Sequence, residues 1–368
     1  MSNQHKSTVV VHVVEATATG TLSMVSLAAN SAVTAIAAEV HVIYARRPET
    51  PQRLANYFDP RVRLHEMAMS GGSALPAIFR LRRLLRFLQP DIVHLHSSVA
   101  GFIGRLAGLR LPSRARFFYS PHCISMMRQD INLRRYVFAA LERLACLKPC
   151  TYVACSESEQ RAIKHWVGAD VRLLENAIEF DSSQRPMMER NAARVVTVGG
   201  VRAQKDPYMY ATICRAVRAN NPAIEFLWIG DGDGTSVQEL RRSGVTVTGW
   251  QDRADIAAIL GNALLYLSTS RWEGMPVAII EAMLAGTPVL ARRCAGIIDV
   301  VEVGTNGQLF DNCEEATACI LNSALDSTKI QAIAAHAYSD ARKRFSASRY
   351  AQDLAALYAI TRSASRKT

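Results

Sequence analysis

Two carboxylates, Glu273 and Glu281, stand in the run Arg271-Trp-Glu-Gly-Met-Pro-Val-Ala-Ile-Ile-Glu-Ala-Met-Leu-Ala-Gly286. Leu264 to Ser268 reads as a strand, and a short loop then carries Glu273 and Gly274. Pro276 suits the first position of a helix, where its missing N–H costs nothing, and the helix stops at Gly286-Thr-Pro288. Between Pro276 and Gly286 every side chain is apolar except Glu281, which falls on or beside the buried stripe. An ionised group buried without hydrogen bonds costs several kcal/mol, so a cation or a set of hydroxyl donors must face it, and a ribose diol supplies two. Glu273 lies at the helix entrance, where backbone N–H groups of Gly274, Met275 and the first turn gather. Gly274 lets the backbone come close to a ligand, so this loop suits sugar hydroxyls. The plainer alternative has Glu273 favouring the positive helix end and Glu281 in a structural ion pair.

A second constellation suits an anion. Val195 to Val198 reads as a strand ending at Gly199-Gly200, the loop Val201-Arg-Ala-Gln-Lys205 follows, and Asp206-Pro207 supplies an N-cap and a first helical residue. N–H groups and basic side chains converge at such a helix entrance, which marks Lys205, with Arg202 beside it, for a phosphate. Asp231-Gly-Asp233, in a glycine-rich loop, reads as a turn rather than a metal pair. In the amino-terminal half, Tyr119-Ser-Pro-His122 puts His122 just past a strand end, where open α/β sheets bind ligands and an imidazole can donate to a hydroxyl or to developing charge. His94 and His96 share one face of a strand. With no third ligand evident they read as packing rather than a metal site.

The elements that must position these groups alternate. Val9–Val14, Val40–Tyr44, Ile92–His96, Phe117–Ser120 and Tyr152–Cys155 read as strands separated by helices. The pattern restarts with Arg194–Val198, Ile224–Ile229, Val245–Thr248, Leu264–Ser268 and Val289–Ala291. Short apolar strands alternating with helices mean parallel βαβ units, and 368 residues exceed what one core normally serves. Two similar halves follow, with a polar, Pro-containing joint near Asp181 to Ala193. The expected domains are residues 1–183 and 184–345, with a helix over 346–368 crossing back to the first. Ser156 with Glu159 fits a capping box, and Tyr350, Leu354, Leu357 and Tyr358 share one helical face.

Eight cysteines scattered without metal spacing, and an amino terminus unlike a secretory leader, point to reduced cytosolic thiols. No run approaches a membrane span. The net charge of +11 is concentrated: the first 150 residues hold nineteen Lys and Arg against eight Asp and Glu. Phe79-Arg-Leu-Arg-Arg-Leu-Leu-Arg-Phe-Leu88 is a basic amphipathic helix whose arginines suit anionic lipid. No reading motif or aromatic interleaving accompanies the charge, which argues against nucleic acid.

The run from Glu273 to Glu281 and on through Ala-Met-Leu-Ala-Gly-Thr-Pro-Val289 resembles the acidic E-x7-E motif of retaining GT-B glycosyltransferases, family four in particular. The resemblance follows nearly the whole chain in order and is weaker outside this block. It implies an α/β protein of the GT-B class, two Rossmann-like domains facing a deep cleft. Glu273 would then stand at the transferred sugar, with the Gly274, Met275 and Pro276 backbone, and Glu281 at the nucleotide ribose. The diphosphate falls to Lys205, Thr248 and Gly249 face the nucleobase from a strand end, and Gly20 corresponds to a glycine loop near the donor. His122 corresponds to a functional His of the family. Asn176 matches the Asn ending the first domain and reads as a hinge or turn. The family usually carries Arg where this chain has Gly200, and Arg202, two residues on, is the candidate to replace it. Members with the Asp-Ile-Val-His-Leu-His, Pro-His and Ser-Glu-Ser-Glu arrangement often build bacterial surface polysaccharide, including lipopolysaccharide, on polyprenyl-diphosphate carriers. The resemblance thus implies transfer with retention from a nucleotide sugar, UDP-linked before GDP-mannose, to a glycan or polyprenyl-linked acceptor. It needs no metal or cofactor, and the enzyme is cytoplasmic and peripheral to the inner membrane face. A nucleotide-sugar epimerase of the same fold and a non-catalytic nucleotide-sugar-binding protein are the rival readings.

Overall fold

The computed structural model describes residues 7–359, apart from 16, 18, 48, 70–73, 110, 112–114, 181–192 and 326. The expected joint therefore lies outside the described residues except for Ala193. The chain divides into two compact units, one of residues 1–177 with 347–368 and the other of residues 178–346.

In the first unit the order is β1 (Val9–Val14), α1 (Thr19–Ala35), β2 (Glu39–Tyr44), β3 (Arg63–Glu66), α2 (Ala74–Leu88), β4 (Ile92–His96), α3 (Ser98–Gly108), β5 (Arg116–Ser120), α4 (Arg134–Ala145), β6 (Thr151–Ala154), α5 (Glu157–Trp166) and β7 (Val171–Leu173). The strands form one parallel sheet in the order β3-β2-β1-β4-β5-β6-β7. Six consecutive buried residues in β1 show why this sequence makes a central strand: Val-Val-Val-His-Val-Val is apolar to both faces and β-branched, as a strand covered by helices on each side requires. Strand order reverses between β1 and β4, where Val14 pairs with His96. Ligands of doubly wound sheets collect at the carboxyl ends of such strands.

The second unit repeats the scheme with β8 (Arg194–Val198), α6 (Pro207–Asn220), β9 (Glu225–Ile229), α7 (Gly234–Arg242), β10 (Val245–Val247), α8 (Arg253–Gly261), β11 (Leu265–Ser268), α9 (Val277–Leu284), β12 (Val289–Arg292), β13 (Gln308–Phe310), α10 (Cys313–Leu325) and α11 (Ser327–Arg344). Its parallel sheet runs β10-β9-β8-β11-β12-β13, so the reversal falls between β8 and β11. The loops after those two strands carry Lys205 and Glu273.

The last helix, α12 (Ala347–Ala359), belongs to the first unit and lies along α1. The spacing of Tyr350, Leu354, Leu357 and Tyr358 buries all four. The Tyr358 hydroxyl reaches His94 Nδ1 at 2.7 Å, tying the helix to β4 by a polar as well as an apolar contact. Arg349 donates to the carbonyls of Glu175 and Asn176, the latter at 2.9 Å, so the helix holds the end of the first unit's chain.

Two local expectations need correcting. Ser156 does cap α5, accepting from Glu159 N at 3.2 Å, but the Glu159 carboxylate does not return to Ser156. It accepts from the N–H groups of Cys123, Ile124 and Cys155 at 2.7, 2.8 and 2.9 Å, because the loop after β5 offers it buried donors that need an acceptor. Pro276 occupies the cap of α9 rather than its first helical residue. Its ψ of 104° is extended, and its carbonyl receives Ile279 N at 3.1 Å.

Candidate active site

In the second unit the loops after β8 and β11 are laced together. Thr269 Oγ1 donates to the Lys205 carbonyl at 2.6 Å, and Arg271 N donates to the Gln204 carbonyl at 2.8 Å. These bonds bring Lys205 Nζ to 2.7 Å from Glu273 Oε1. Ser270 Oγ donates to the same oxygen at 2.8 Å, while Gln204 Nε2 donates to Glu273 Oε2 at 3.1 Å and to the Trp272 carbonyl at 2.9 Å. Glu273 is thus a buried carboxylate held at both oxygens. Burial acts to lower the Lys205 ammonium, but Glu273 opposes it and leaves Lys205 above its ordinary value, a fixed cation.

Close backbone approach makes this geometry possible. Gly230 takes φ +141°, and a Cβ there would stand 2.2 Å from the Gly199 carbonyl oxygen, so the loops after β8 and β9 touch through glycine. Glu273 N donates to the Ala295 carbonyl at 3.1 Å, and Gly296 fits against the carbonyls of Glu273 and Gly274 only because it lacks a side chain. Gly274 and Met275 follow in the same loop, with Met275 buried.

Glu281 is half-buried on α9. Burial raises its carboxyl pKa above the ordinary value, against the pull of Arg253 and Lys205. Among the described residues no hydrogen bond or ion pair engages its side chain, which leaves a desolvated acid beside the fixed cation. Arg202 is exposed and turns back over Gly200: a Cβ at Gly200 would lie 2.8 Å from Arg202 Nε. Its guanidinium therefore fills the space that a side chain at position 200 would enter.

Asp206 caps α6 in a left-handed conformation, φ +49°, accepting from Met209 N and pairing with Arg292 at 2.9 Å. Asp233 caps α7 through Ser236, which also holds its carboxyl below the usual range, so the Asp231–Asp233 loop is a turn and a cap. Thr248 follows β10; its N–H is already given to the Trp228 carbonyl at 3.1 Å, and its own carbonyl accepts from Gln251 Nε2 at 3.4 Å. Gly249 bridges Gly230. Gly20 departs from the expected glycine loop. The link from β1 is short, and the residue falls in the first turn of α1.

In the first unit His122 follows β5 with φ +56°, and Cys123 follows with φ +98°. Two successive non-glycine residues in the left-handed region cost about 1–3 kcal/mol each, and the Glu159 bonds to the next two N–H groups hold them there. The turn aims His122 Nε2 at His96 Nδ1, 3.1 Å away, and His96 Nε2 lies 2.9 Å from His12 Nδ1. The third imidazole that the sequence did not reveal is His12, opposite His94 in the β1–β4 ladder. His12, His94 and His96 have ring nitrogens close enough together for a metal ion. Yet His94 is engaged at both nitrogens, by Tyr358 and by Ser120 Oγ at 2.9 Å, and His96 at both by histidines. A cation would have to displace these bonds, so the expected packing role describes them better. Burial lowers His12 to about 3 and His122 to about 4, and His94 and His96 also fall well below the ordinary value. All four are neutral at physiological pH.

Sequence reasoning missed Gln204, Ser270, Ala295 and His12. A signal existed for His12, the one polar residue in an all-buried valine strand. None marked Ala295, whose part is a backbone carbonyl.

Residues 33–182 match the family model described as Glycosyltransferase Family 4, and residues 192–326 match that described as Glycosyl transferases group 1. The chain is 25% identical over 264 residues to an uncharacterized 41.2 kDa protein in the cps region of Klebsiella pneumoniae, covering 67% of this chain and 73% of that protein. It is 26% identical over 261 residues to the UDP-Gal:alpha-D-GlcNAc-diphosphoundecaprenol alpha-1,3-galactosyltransferase of Escherichia coli, covering 64% of this chain and 66% of that protein. Among solved structures, Anabaena HepE in complex with UDP-glucose superposes with a TM-score of 0.77 at 18% identity, over 95% of this chain and 98% of that one. Sucrose-phosphate synthase from Thermosynechococcus elongatus gives 0.78 at 15% identity, over 95% and 98%. The two family matches lie one in each half, so each half carries a glycosyltransferase domain, and the chain has the two Rossmann-like domains of the GT-B fold.

An ionised Glu281 costs the ligand-free protein stability. A carboxyl whose folded pKa is raised contributes stability that is fully present below its unfolded value and lost as pH rises through the folded one. Glu281→Gln is expected to raise the melting temperature at pH 7 by about 2–4 °C, with the gain vanishing below the ordinary value of 4.5. Thermal melts across that range check it, and a lower melting temperature at pH 7 would contradict it.

Proposed function

We propose that this glycosyltransferase transfers a sugar, with retention of anomeric configuration, from a UDP-sugar to a glycan or polyprenyl-diphosphate-linked acceptor in bacterial cell-surface polysaccharide synthesis. The observation that carries the donor reading is the juxtaposition of a fixed Lys205–Glu273 pair with an unpartnered, desolvated Glu281 within its electrostatic reach. A nucleotide sugar answers each feature. Its diphosphate takes Lys205, assisted by Arg202 over Gly200, in place of a metal ion. Its ribose diol satisfies Glu281. The transferred sugar takes Glu273, released from Lys205, together with the Gly274–Pro276 backbone. Thr248 and Gly249 face the base.

In the reaction the bond from C1 to the diphosphate oxygen breaks as the acceptor oxygen bonds to C1 on the same face. The acceptor proton passes to the departing phosphate oxygen, while Lys205 and Arg202 meet its charge. His122 polarises the reacting edge as a neutral donor. The names of several relatives support the choice of substrates: one uses UDP-Gal and a diphosphoundecaprenol acceptor, and Anabaena HepE binds UDP-glucose. A GDP-mannose-dependent alpha-mannosyltransferase, 25% identical, keeps GDP-mannose as the second choice of donor. Relatives named as glycosyltransferases favour transfer over the epimerase and binding-protein readings.

We assign the approach to lipid-borne acceptor to the first unit. No helix among the described residues is long and apolar enough to cross a membrane. In α2, Arg82 turns inward to the carbonyls of Ala107 and Leu106, which removes it from the expected lipid-facing set, while Arg80, Arg83 and Arg86 stay exposed. A second surface went unread in the sequence. Around α4, Leu133, Tyr136, Val137, Leu144 and Leu147 are 55–78% exposed at helical spacing, with Arg134 and Arg143 exposed among them. The opposite face is pinned by the buried Arg105–Glu142 pair at 2.7 Å. Apolar side chains edged by arginine suit an anionic membrane face, at about 1 kcal/mol per basic residue.

Glu281→Ala is expected to weaken UDP binding by about 1.5–3 kcal/mol. Glu273→Ala should lower turnover roughly a hundredfold with UDP affinity nearly kept; calorimetry and transfer kinetics separate the two, and equal small effects from both would refute the assignment. Liposomes containing anionic lipid should retain the protein at low salt and release it when salt is raised, and Leu144→Glu should reduce retention. Retention independent of lipid charge, salt and this substitution would refute the membrane assignment.

A further inference from the structure

The bonds His12 Nδ1···His96 Nε2 and His96 Nδ1···His122 Nε2 form a continuous line of imidazoles from the middle of the sheet to the turn after β5. Its two outer nitrogens, His12 Nε2 and His122 Nδ1, are buried without a protein partner. Each neutral ring carries one proton, so the line has two consistent states. In one, His12 donates to His96, His96 donates to His122, and the spare N–H is at His122 Nδ1. In the other every bond is reversed and the spare N–H is at His12 Nε2. A buried N–H without an acceptor is the rarer and costlier defect. Both outer nitrogens are buried, but His12 lies inside a central strand covered on both faces, whereas the His122 ring is half-buried in a turn at a strand end, where a bound ligand can supply the missing acceptor. The first state is therefore favoured.

We infer that His12 and His96 are positioning residues that lock His122 in the Nδ1–H tautomer and present that hydrogen to an oxygen of the bound substrate. This rests on the reading of His122 as a substrate-facing group and adds how it is prepared. The left-handed turn held by Glu159 sets the direction of the ring, and the histidine line sets which nitrogen bears the proton. His94, stacked on His96 with centroids 4.3 Å apart, stands outside the line because Tyr358 and Ser120 occupy both its nitrogens. Low pKa values fit the same picture, since a cationic ring would put two donors on one line and break its polarity.

The test is tautomer-resolved nitrogen NMR on full-length protein with labelled histidine, without ligand at pH 7. His122 is expected as the Nδ1–H tautomer alone. In His96→Leu it should redistribute toward Nε2–H, the form free imidazole side chains prefer. His12→Leu should have the same effect, and His12→Asn, whose carboxamide donates from near the Nδ1 position, should restore the Nδ1–H form. In transfer assays His96→Leu should lower kcat about tenfold with KM for the UDP-sugar unchanged. A wild-type His122 in the Nε2–H form overturns the inference even where a variant fails to fold, and so does a His122 tautomer untouched by both leucine substitutions. His122→Ala with undiminished turnover would instead remove the substrate-facing role while leaving the tautomer result standing, so the two failures are distinct.

Discussion

The second unit is organised around one buried charge pair. A lysine and a glutamate cannot both be taken from water at the ends of β8 and β11 unless each satisfies the other, and Lys205 and Glu273 do so at 2.7 Å. Gln204 and Ser270 complete the carboxylate's hydrogen bonding, the Ala295 carbonyl fixes its backbone, and glycines at 199, 230 and 296 give way for the close contacts. The pair also explains what a donor must do. In the proposed reaction a diphosphate offers Lys205 a stronger partner than one carboxylate, and the exchange frees Glu273 for the transferred sugar. Binding and preparation of the site become one event.

Glu281 belongs to the same economy of charge. Placed on an apolar helix without a partner of its own, it lowers the stability of the empty protein in return for a desolvated acceptor. The first unit shows the same trade in backbone form: two left-handed residues, His122 and Cys123, are held by Glu159 beside a row of uncharged histidines bonded to one another. The Lys205–Glu273 pair itself lies in the loops after the two strands at which the order of the second sheet reverses, where a doubly wound sheet gathers ligands.

Much of this was legible in the sequence. The central strands were, because valine-rich runs buried on both faces leave little ambiguity, and so were the caps at Asp206 and Ser156. Glu281 stood out as the single charge on its helix. Short edge strands such as β3 and β7 did not, since a few partly exposed residues carry no period. The second half of the Ser156–Glu159 box was read wrongly because the competing donors come from residues 123 and 124, remote in sequence. The histidine line was invisible for a related reason: His12, His96 and His122 meet only through the register of parallel strands, and local spacing cannot set that register. Arg202 was readable as a nearby cation, but its place over Gly200 depends on the turn.

The central claim is that Lys205 is the cation on which nucleotide binding depends. Calorimetric titration of wild type and Lys205→Met with UDP tests it most directly. The account predicts one UDP per wild-type chain and at least a tenfold loss of affinity in the variant, the scale of about 1.5 kcal/mol or more for a charged hydrogen bond. UDP binding of equal affinity in both proteins, or no UDP binding to the wild type, would contradict it.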